Sequence, residues 1–168
     1  MALEYLDPQI IIHLNYTDNQ ELSKIPDSLL IVFCPRSNAH FNLQFPPMKY
    51  FLKDPSKYIV GIGTDNVMTT PPNILDELRW VVLRLKEEGL NLTPQQAIQL
   101  ITVNPSRGLQ LLSGILALDY WADLMVIDLQ GKKTKYSLDP ITALLFRTDI
   151  SNDCKLNMFH GEVIIPEN

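Results

Sequence analysis

Short apolar runs alternate with helical patterns along the first two thirds of this chain, and this alternation constrains the fold most. Three runs rich in isoleucine, valine and leucine cover residues 9–13, 29–33 and 57–63. Strands that alternate with helices along a chain are typical of a parallel sheet covered by helices. The sequence therefore predicts an α/β fold in which the three runs are parallel, buried strands.

The helices are predicted from apolar spacing and from residues that favour helix ends. The clearest spans residues 73–88, where apolar side chains recur at helical spacing before Gly89, and its charged residues, Glu77 among them, are expected to face solvent. Thr93 and Pro94 suit the start of a second helix that ends near residue 102, and a third runs from 104 to about 112. A helical turn is expected at residues 19–24. Prolines predict a long loop over residues 36–55.

The last third of the chain has a different pattern. Residues 122–128 and 156–164 are predicted strands, and the second strand can fold back as a hairpin around His160 and Gly161. A short helix is expected at 140–146. The sequence thus predicts an α/β part over residues 1–112 and a small β-rich part over residues 113–168.

Composition excludes several classes of function. The formal net charge of −5 argues against a nucleic-acid partner, because phosphate binding needs a basic surface. No apolar run approaches the ~20 residues of a membrane span, and the first residues lack the pattern of a signal peptide. Cys34 and Cys154 are too far apart in sequence to form a metal-type pair. We expect a cytoplasmic protein that binds neither nucleic acid nor membrane.

Polar side chains follow each predicted strand of the α/β part. His13 ends the first run, Ser37 and Asn38 come soon after the second, and Asp65 follows the third. The carboxyl ends of parallel strands meet at one edge, where α/β barrels build their active sites. Two interpretations are open for each residue. Asp65 could serve at a site, by accepting a proton or contacting a metal, or it could only cap a helix or turn. His13 could likewise act at the site, or it could only hydrogen-bond a backbone carbonyl. Cys34 is expected to be buried and inert.

Five segments in order along the chain resemble the carboxyl-terminal part of an amidohydrolase-superfamily enzyme, in the deaminase and chlorohydrolase branch. They are His13 with the polar stretch after it, Cys34–Asn38, Gly63–Asp65, Leu100–Leu109, and Gly114-Ile115 with Ala122–Asp128. The resemblance implies a partial TIM-type barrel, with strands six to eight and the following helices in residues 1–112. Residues 113–168 would be a small β-sandwich-like segment.

The resemblance also implies roles for the candidate residues. Asp65 would contact a divalent metal, zinc or iron, and accept the proton of the attacking water. His13 would hydrogen-bond the substrate or the tetrahedral centre, and Ser37 and Asn38 would line the substrate pocket. The family's His-x-His pair and its strand-five histidine have no counterpart in this sequence. The site on this chain alone is therefore expected to be incomplete, with metal bound weakly or not at all.

Two functions remain open at this point. In the first, the chain is part of a metal-dependent hydrolase that deaminates an amino-substituted heterocycle and is inactive when isolated. In the second, it is a non-catalytic binding or assembly module. Three parallel strands leave two open edges, so we expect association with a missing amino-terminal half or with a second copy. The substrate and the metal are not predicted by the sequence.

Overall fold

The computed structural model describes residues 3–164, apart from the side chains of residues 3 and 4. The chain divides into two compact units, Met1–Leu111 and Leu112–Asn168. No helix within the described residues has both the length and the apolar character needed to cross a membrane.

The first unit is built on a three-stranded parallel sheet. Strand β1 is Ile10–Ile12, β2 is Leu30–Phe33 and β3 is Ile59–Ile62, in the order β1-β2-β3. The three strands fall within the three apolar runs, so the predicted parallel α/β arrangement is confirmed. Strand β2 lies in the centre, and three of its four residues are buried.

Helices surround this sheet in the first unit. They are α1 Leu3–Leu6, α2 Asn19–Leu22, α3 Pro35–His40, α4 Met48–Leu52, α5 Ile74–Glu87, α6 Pro94–Gln99 and α7 Val103–Gly108. The predicted cap of α6 is confirmed, because Thr93 forms a capping box with Gln96 at the start of that helix. At the start of α5, the Asn73 side chain accepts hydrogen bonds from two backbone N–H groups.

The predicted long loop over residues 36–55 is wrong, because that segment contains most of α3 and all of α4. Pro35 occupies the first turn of α3, where a missing N–H costs nothing, and Pro47 immediately precedes α4. The two helices after α5 are shorter than predicted, since α6 ends at Gln99 and α7 at Gly108.

The core of the first unit forms where α5 and α4 pack on the sheet. Four apolar residues of α5 are buried at helical spacing, namely Leu75, Leu78, Val81 and Leu85. Phe33 of β2 and Phe51 of α4 are both fully buried, with ring centroids 5.9 Å apart. Fully burying one such side chain stabilises the fold by roughly 1.5–3 kcal/mol.

The two edges of the parallel sheet differ. Within the part of the chain that the structure describes, no strand pairs with the outer side of β1, and Ile10 and Ile12 are 36% and 53% exposed. At the other edge, the Ile62 N–H donates to the Leu100 carbonyl at 3.0 Å, and Asn104 Nδ2 donates to the Val60 carbonyl at 2.9 Å. The expectation of two open edges is therefore wrong for β3, whose outer side is already hydrogen-bonded.

The second unit contains an antiparallel sheet. Strands β4 Leu124–Ile127, β5 Cys154–Phe159 and β6 Glu162–Ile164 pair in the order β4-β5-β6, with helices α8 Pro140–Arg147 and α9 Ile150–Asp153 before β5. His160 and Gly161 form the turn between β5 and β6 with φ of 50° and 82°. Two residues of positive φ are what a type I′ hairpin needs, and the predicted hairpin is confirmed.

Candidate functional site

The candidate residues of the first unit follow its three strands at the carboxyl edge of the sheet. His13 comes directly after β1, Ser37 and Asn38 lie in α3 after β2, and Asp65 lies three residues after β3. The His13 N–H donates to the Val32 carbonyl at 3.0 Å, which keeps His13 beside the end of β2.

Asp65 and Ser37 are in direct contact. Ser37 Oγ donates a hydrogen bond to Asp65 Oδ2 at 2.6 Å, although the two residues are 28 positions apart. Ser37 is only 1% exposed, so one face of the carboxylate is held by a buried hydroxyl. Asp65 has a φ of 57°, in the left-handed region that few non-glycine residues adopt. Asn73 caps the following helix, α5, so Asp65 does not serve as its cap.

His13 also lies in a strained segment. His13 and Leu14 have φ of 76° and 54°, and such outliers cluster at functional sites. His13 Nδ1 is buried and has no hydrogen-bond partner within the described residues. A histidine that merely completed the local structure would be expected to bond this nitrogen to a carbonyl.

Two further buried nitrogens lack partners near the end of β2. Asn38 Nδ2 and Arg36 Nη1 have none among residues 3–164, and Asn38 is 3% exposed. Unpaired buried polar groups are rare in folded proteins, and each needs an explanation. Together with His13 Nδ1, they form a set of unused polar atoms on segments that follow β1 and β2. Among the described residues, a hydrogen bond joins Ser37 and Asp65 of the predicted set, and no hydrogen bond joins the side chain of His13 or Asn38 to either of them.

The thiol of Cys34 is held in its neutral form. Burial raises its pKa to about 12, and the nearby negative charges of Asp65 and Glu77 add to the effect. A thiol is nucleophilic only as the thiolate. The inert character predicted for Cys34 therefore agrees with its environment.

Cys34 is expected to resist alkylation. At pH 8, iodoacetamide should modify Cys34 at least about ten times more slowly than the half-buried Cys154, because burial restricts both thiolate formation and access. Mass spectrometry of peptides after timed quenching measures both rates. In urea the two rates should converge, and equal rates in the folded chain would contradict the buried position of Cys34.

Glu77 was missed by the sequence analysis. It was expected to face solvent, but it is fully buried in α5. Glu77 Oε1 accepts a hydrogen bond from the Arg36 N–H at 2.7 Å, and Oε2 lies 3.7 Å from Arg36 Nε. Burial raises the pKa of Glu77, the contacts with Arg36 oppose that shift, and the negative charge of Asp65 adds to it. The helical spacing could have indicated this burial. Glu77 lies four residues before Val81 and eight residues before Leu85, and residues at these intervals share the buried face of α5.

The other two histidines make ring contacts with neighbouring aromatic side chains. His40 is exposed at the end of α3 with its ring 5.3 Å from that of Phe41. In the second unit, the His160 ring stacks on Trp121 and Phe159, each at 4.2 Å. Among residues 3–164, no three histidine, cysteine, aspartate or glutamate side chains are grouped so that they could hold a metal ion.

Several solved enzyme structures have a fold similar to that of this chain. A zinc complex of atrazine chlorohydrolase TrzN from Arthrobacter aurescens has a TM-score of 0.81 at 20% identity, and the match covers 93% of this chain and 36% of that one. A zinc-bound adenosine deaminase from Xanthomonas campestris gives 0.80 at 18%, covering 92% and 36%. Guanine deaminase from E. coli gives 0.78 at 22%, covering 95% and 39%. At these identities the likeness shows the fold alone.

Curated relatives give a similar result. A 5-methylthioadenosine/S-adenosylhomocysteine deaminase of Pyrococcus furiosus is 30% identical over 141 residues, which are 80% of this chain and 32% of the relative. An uncharacterized protein of Methanocaldococcus jannaschii is 24% identical over 161 residues, 95% of this chain and 37% of the relative. The chain thus spans about a third of the length of these relatives.

A family model decides the assignment. The model of the Amidohydrolase family matches residues 6–163, which is nearly the whole chain. The resemblance predicted from the five ordered segments is confirmed, and the chain belongs to the amidohydrolase family.

Proposed function

We propose that this chain supplies the carboxyl-terminal part of the active site of a hydrolytic deaminase that acts on an amino-substituted heterocycle. The observation that carries the proposal is the Asp65 carboxylate, held at 2.6 Å by the buried Ser37 hydroxyl beyond the end of β3. Relatives named as deaminases of 5-methylthioadenosine and S-adenosylhomocysteine support this class of substrate. No observation favours the alternative of a non-catalytic module.

In the proposed reaction, a water oxygen bonds to the ring carbon that carries the amino group. The proton released by the water passes to Asp65, which lies beyond a strand end where a barrel site would be built. The same proton is then given to the amino nitrogen, the carbon–nitrogen bond breaks, and ammonia leaves. The ring keeps the oxygen, so the atoms balance.

The remaining candidate residues bind and orient the reactants. Ser37 keeps one oxygen of Asp65 occupied, which directs the other oxygen towards the water. His13 would hydrogen-bond the oxygen of the tetrahedral centre. Asn38 and Arg36 supply the unpaired nitrogens noted above, which suit the ring nitrogens and carbonyl oxygens of a heterocycle.

A divalent metal is implied by the zinc in the related structures. Catalytic zinc sites draw about three ligands from protein, and the described residues hold no such group. This chain's own residues therefore do not fit a complete zinc or iron site. In the proposal, Asp65 contributes one ligand, and the others come from a different segment or chain.

The parallel sheet of the first unit would be part of a barrel. Strands β1, β2 and β3 would be strands six to eight of a TIM-type barrel, residues 1–112 would carry that part, and residues 113–168 would form the small β-rich segment. The exposed β1 edge would then pair with a strand of an amino-terminal half or of a second copy, since an open apolar edge invites pairing.

Association through β1 is testable by light scattering. We expect a mass above the 19.2 kDa of one chain, and Ile12→Lys should lower it because a charged residue blocks an edge strand. Leu83→Lys is the matched control, since Leu83 is 55% exposed on α5 and remote in sequence from β1. A mass of 19.2 kDa for the native chain across the whole concentration range would contradict this expectation.

The reaction itself is tested by ammonia release. The purified chain is incubated with zinc or iron(II) and with 5′-methylthioadenosine, S-adenosylhomocysteine, adenosine or guanine. The assay is repeated with the amino-terminal part of the Pyrococcus furiosus relative and with the product of the reading frame upstream of this chain. We expect ammonia only in a combined sample. No ammonia from any combination would overturn the proposal.

A further inference from the structure

We propose that Glu77 is a positioning residue for the Asp65 carboxylate, because it binds Arg36 and thereby fixes the segment that carries Ser37. The inference rests on the role proposed above for Asp65. It assigns a role to a side chain that neither contacts Asp65 nor belongs to the predicted set of site residues.

The burial of Glu77 needs a specific reason. The side chain is fully buried, whereas Glu87 on the same helix is 63% exposed and pairs with Arg84. Removing a carboxylate from water costs several kcal/mol unless hydrogen bonds and a counter-charge replace the lost hydration. Arg36 provides one hydrogen bond, from its backbone N–H to Oε1, and a positive charge 3.7 Å from Oε2, whereas Oε2 has no hydrogen-bond partner among the described residues. Within those residues, Arg36 is thus the group that holds the buried carboxylate.

The contacts with Arg36 fix the start of α3. Cys34, at the N-cap of α3, makes no side-chain hydrogen bond to the helix, and Pro35 has no N–H. Arg36 thus has the first backbone N–H of the helix, and Glu77 Oε1 accepts it at 2.7 Å. Glu77 lies 41 residues after Arg36 in sequence. Their hydrogen bond therefore joins α5 to the start of α3.

Ser37 is the next residue after Arg36, and it transmits this constraint to Asp65. Its hydroxyl donates to Asp65 Oδ2 at 2.6 Å. A hydrogen bond to a charged acceptor is short and strongly dependent on geometry, so a small rotation of α3 would break it. The path runs from Glu77 through the Arg36 backbone and the Ser37 hydroxyl to Asp65.

Nearby charge supports the same arrangement. The negative charge of Asp65 raises the pKa of both Cys34 and Glu77, so the two carboxylates lie close enough to repel each other. Arg36 contacts Glu77, directly precedes Ser37 in sequence, and opposes the raised pKa of Glu77. Its guanidinium therefore allows two carboxylates to remain in one partly buried region.

The test uses carboxyl ¹³C resonances of the full-length chain and four variants. Ser37→Ala removes the hydrogen bond and should move the Asp65 resonance. Glu77→Leu should move it in the same direction, and Glu77→Gln, which keeps a carbonyl oxygen for the Arg36 N–H, should move it less. Glu87→Leu, the matched control, should leave it unchanged. A Glu77→Leu resonance identical to the native one would overturn the inference. If that variant does not fold, Glu77→Ala, which also removes the acceptor of the Arg36 N–H, takes its place, and an unchanged resonance there overturns the inference.

Measuring ammonia release in the combined sample distinguishes a failure of this inference from a failure of the proposed function. Glu77→Leu should lower kcat about ten-fold with little change in KM, and should add nothing in a Ser37→Ala background, because residues acting through one group are not additive. Effects that multiply would overturn the inference even though the enzyme is active. Resonances that move as expected in a chain that never releases ammonia would overturn the proposed function and leave the positioning role standing.

Discussion

Asp65→Asn is expected to reduce ammonia release in the combined sample by about 10²–10⁴-fold, the usual contribution of a positioned general base. Asparagine has nearly the same shape as aspartate, and its carbonyl oxygen can still accept the hydrogen bond that Ser37 Oγ now donates to Asp65 Oδ2. The fold should therefore be kept, while the capacity to accept a proton is lost. Initial rates at saturating substrate measure the effect on kcat.

Asp27→Asn is the matched control for this experiment. Asp27 is an exposed aspartate of the same unit that pairs with Lys57 at 3.3 Å, and exposed ion pairs contribute at most about 1 kcal/mol. Its rate and its urea midpoint should match those of the native chain. An Asp65→Asn sample that keeps more than about a tenth of the native rate would show that another group accepts the proton.

The fold was largely predictable where the signal is local. The strands could be found because each lies in a short apolar run. Helix α5 could be found because its apolar residues recur at helical spacing before Gly89, and α6 because Thr93 and Pro94 suit a helix start. The segment 36–55 was mistaken for a loop because prolines were taken as breakers. Pro35 instead occupies a first helical turn, where its fixed φ suits a helix.

The site was predictable only in part. The order of polar residues after parallel strands indicated Asp65 and Ser37, and the structure joins them. Glu77 was missed because a glutamate on a helix is normally solvated, and only a partner 41 residues away makes its burial possible. The covered edge of β3 was missed for the same reason, since its acceptor and donor come from residues 100 and 104.

Gly108→Ala is expected to destabilise the first unit by about 2 kcal/mol, roughly a 30-fold change in the ratio of folded to unfolded chain. Helix α7 approaches β2 so closely that a Cβ at position 108 would lie 2.7 Å from Leu30 Cβ. Leu30 is 1% exposed in the central strand, and its Cβ is fixed to the backbone, so neither atom can move aside. Alanine favours a helix over glycine by at most about 1 kcal/mol, and a clash of this kind costs about 3 kcal/mol at the upper end of the usual range.

Gly61→Ala is the matched control, because it also replaces a glycine by alanine but creates no clash. A Cβ at position 61 would also meet Leu30, but at 3.5 Å, which is an ordinary contact. The two variants are compared by urea unfolding in a Trp121→Phe background, where Trp80 fluorescence reports the first unit alone because the chain has two tryptophans. Gly61→Ala should leave the midpoint nearly unchanged while Gly108→Ala lowers it. Equal midpoints would mean that α7 does not pack on β2 at this distance. The two hydrogen bonds that close the β3 edge, from the Ile62 N–H to the Leu100 carbonyl and from Asn104 Nδ2 to the Val60 carbonyl, would then lose their support.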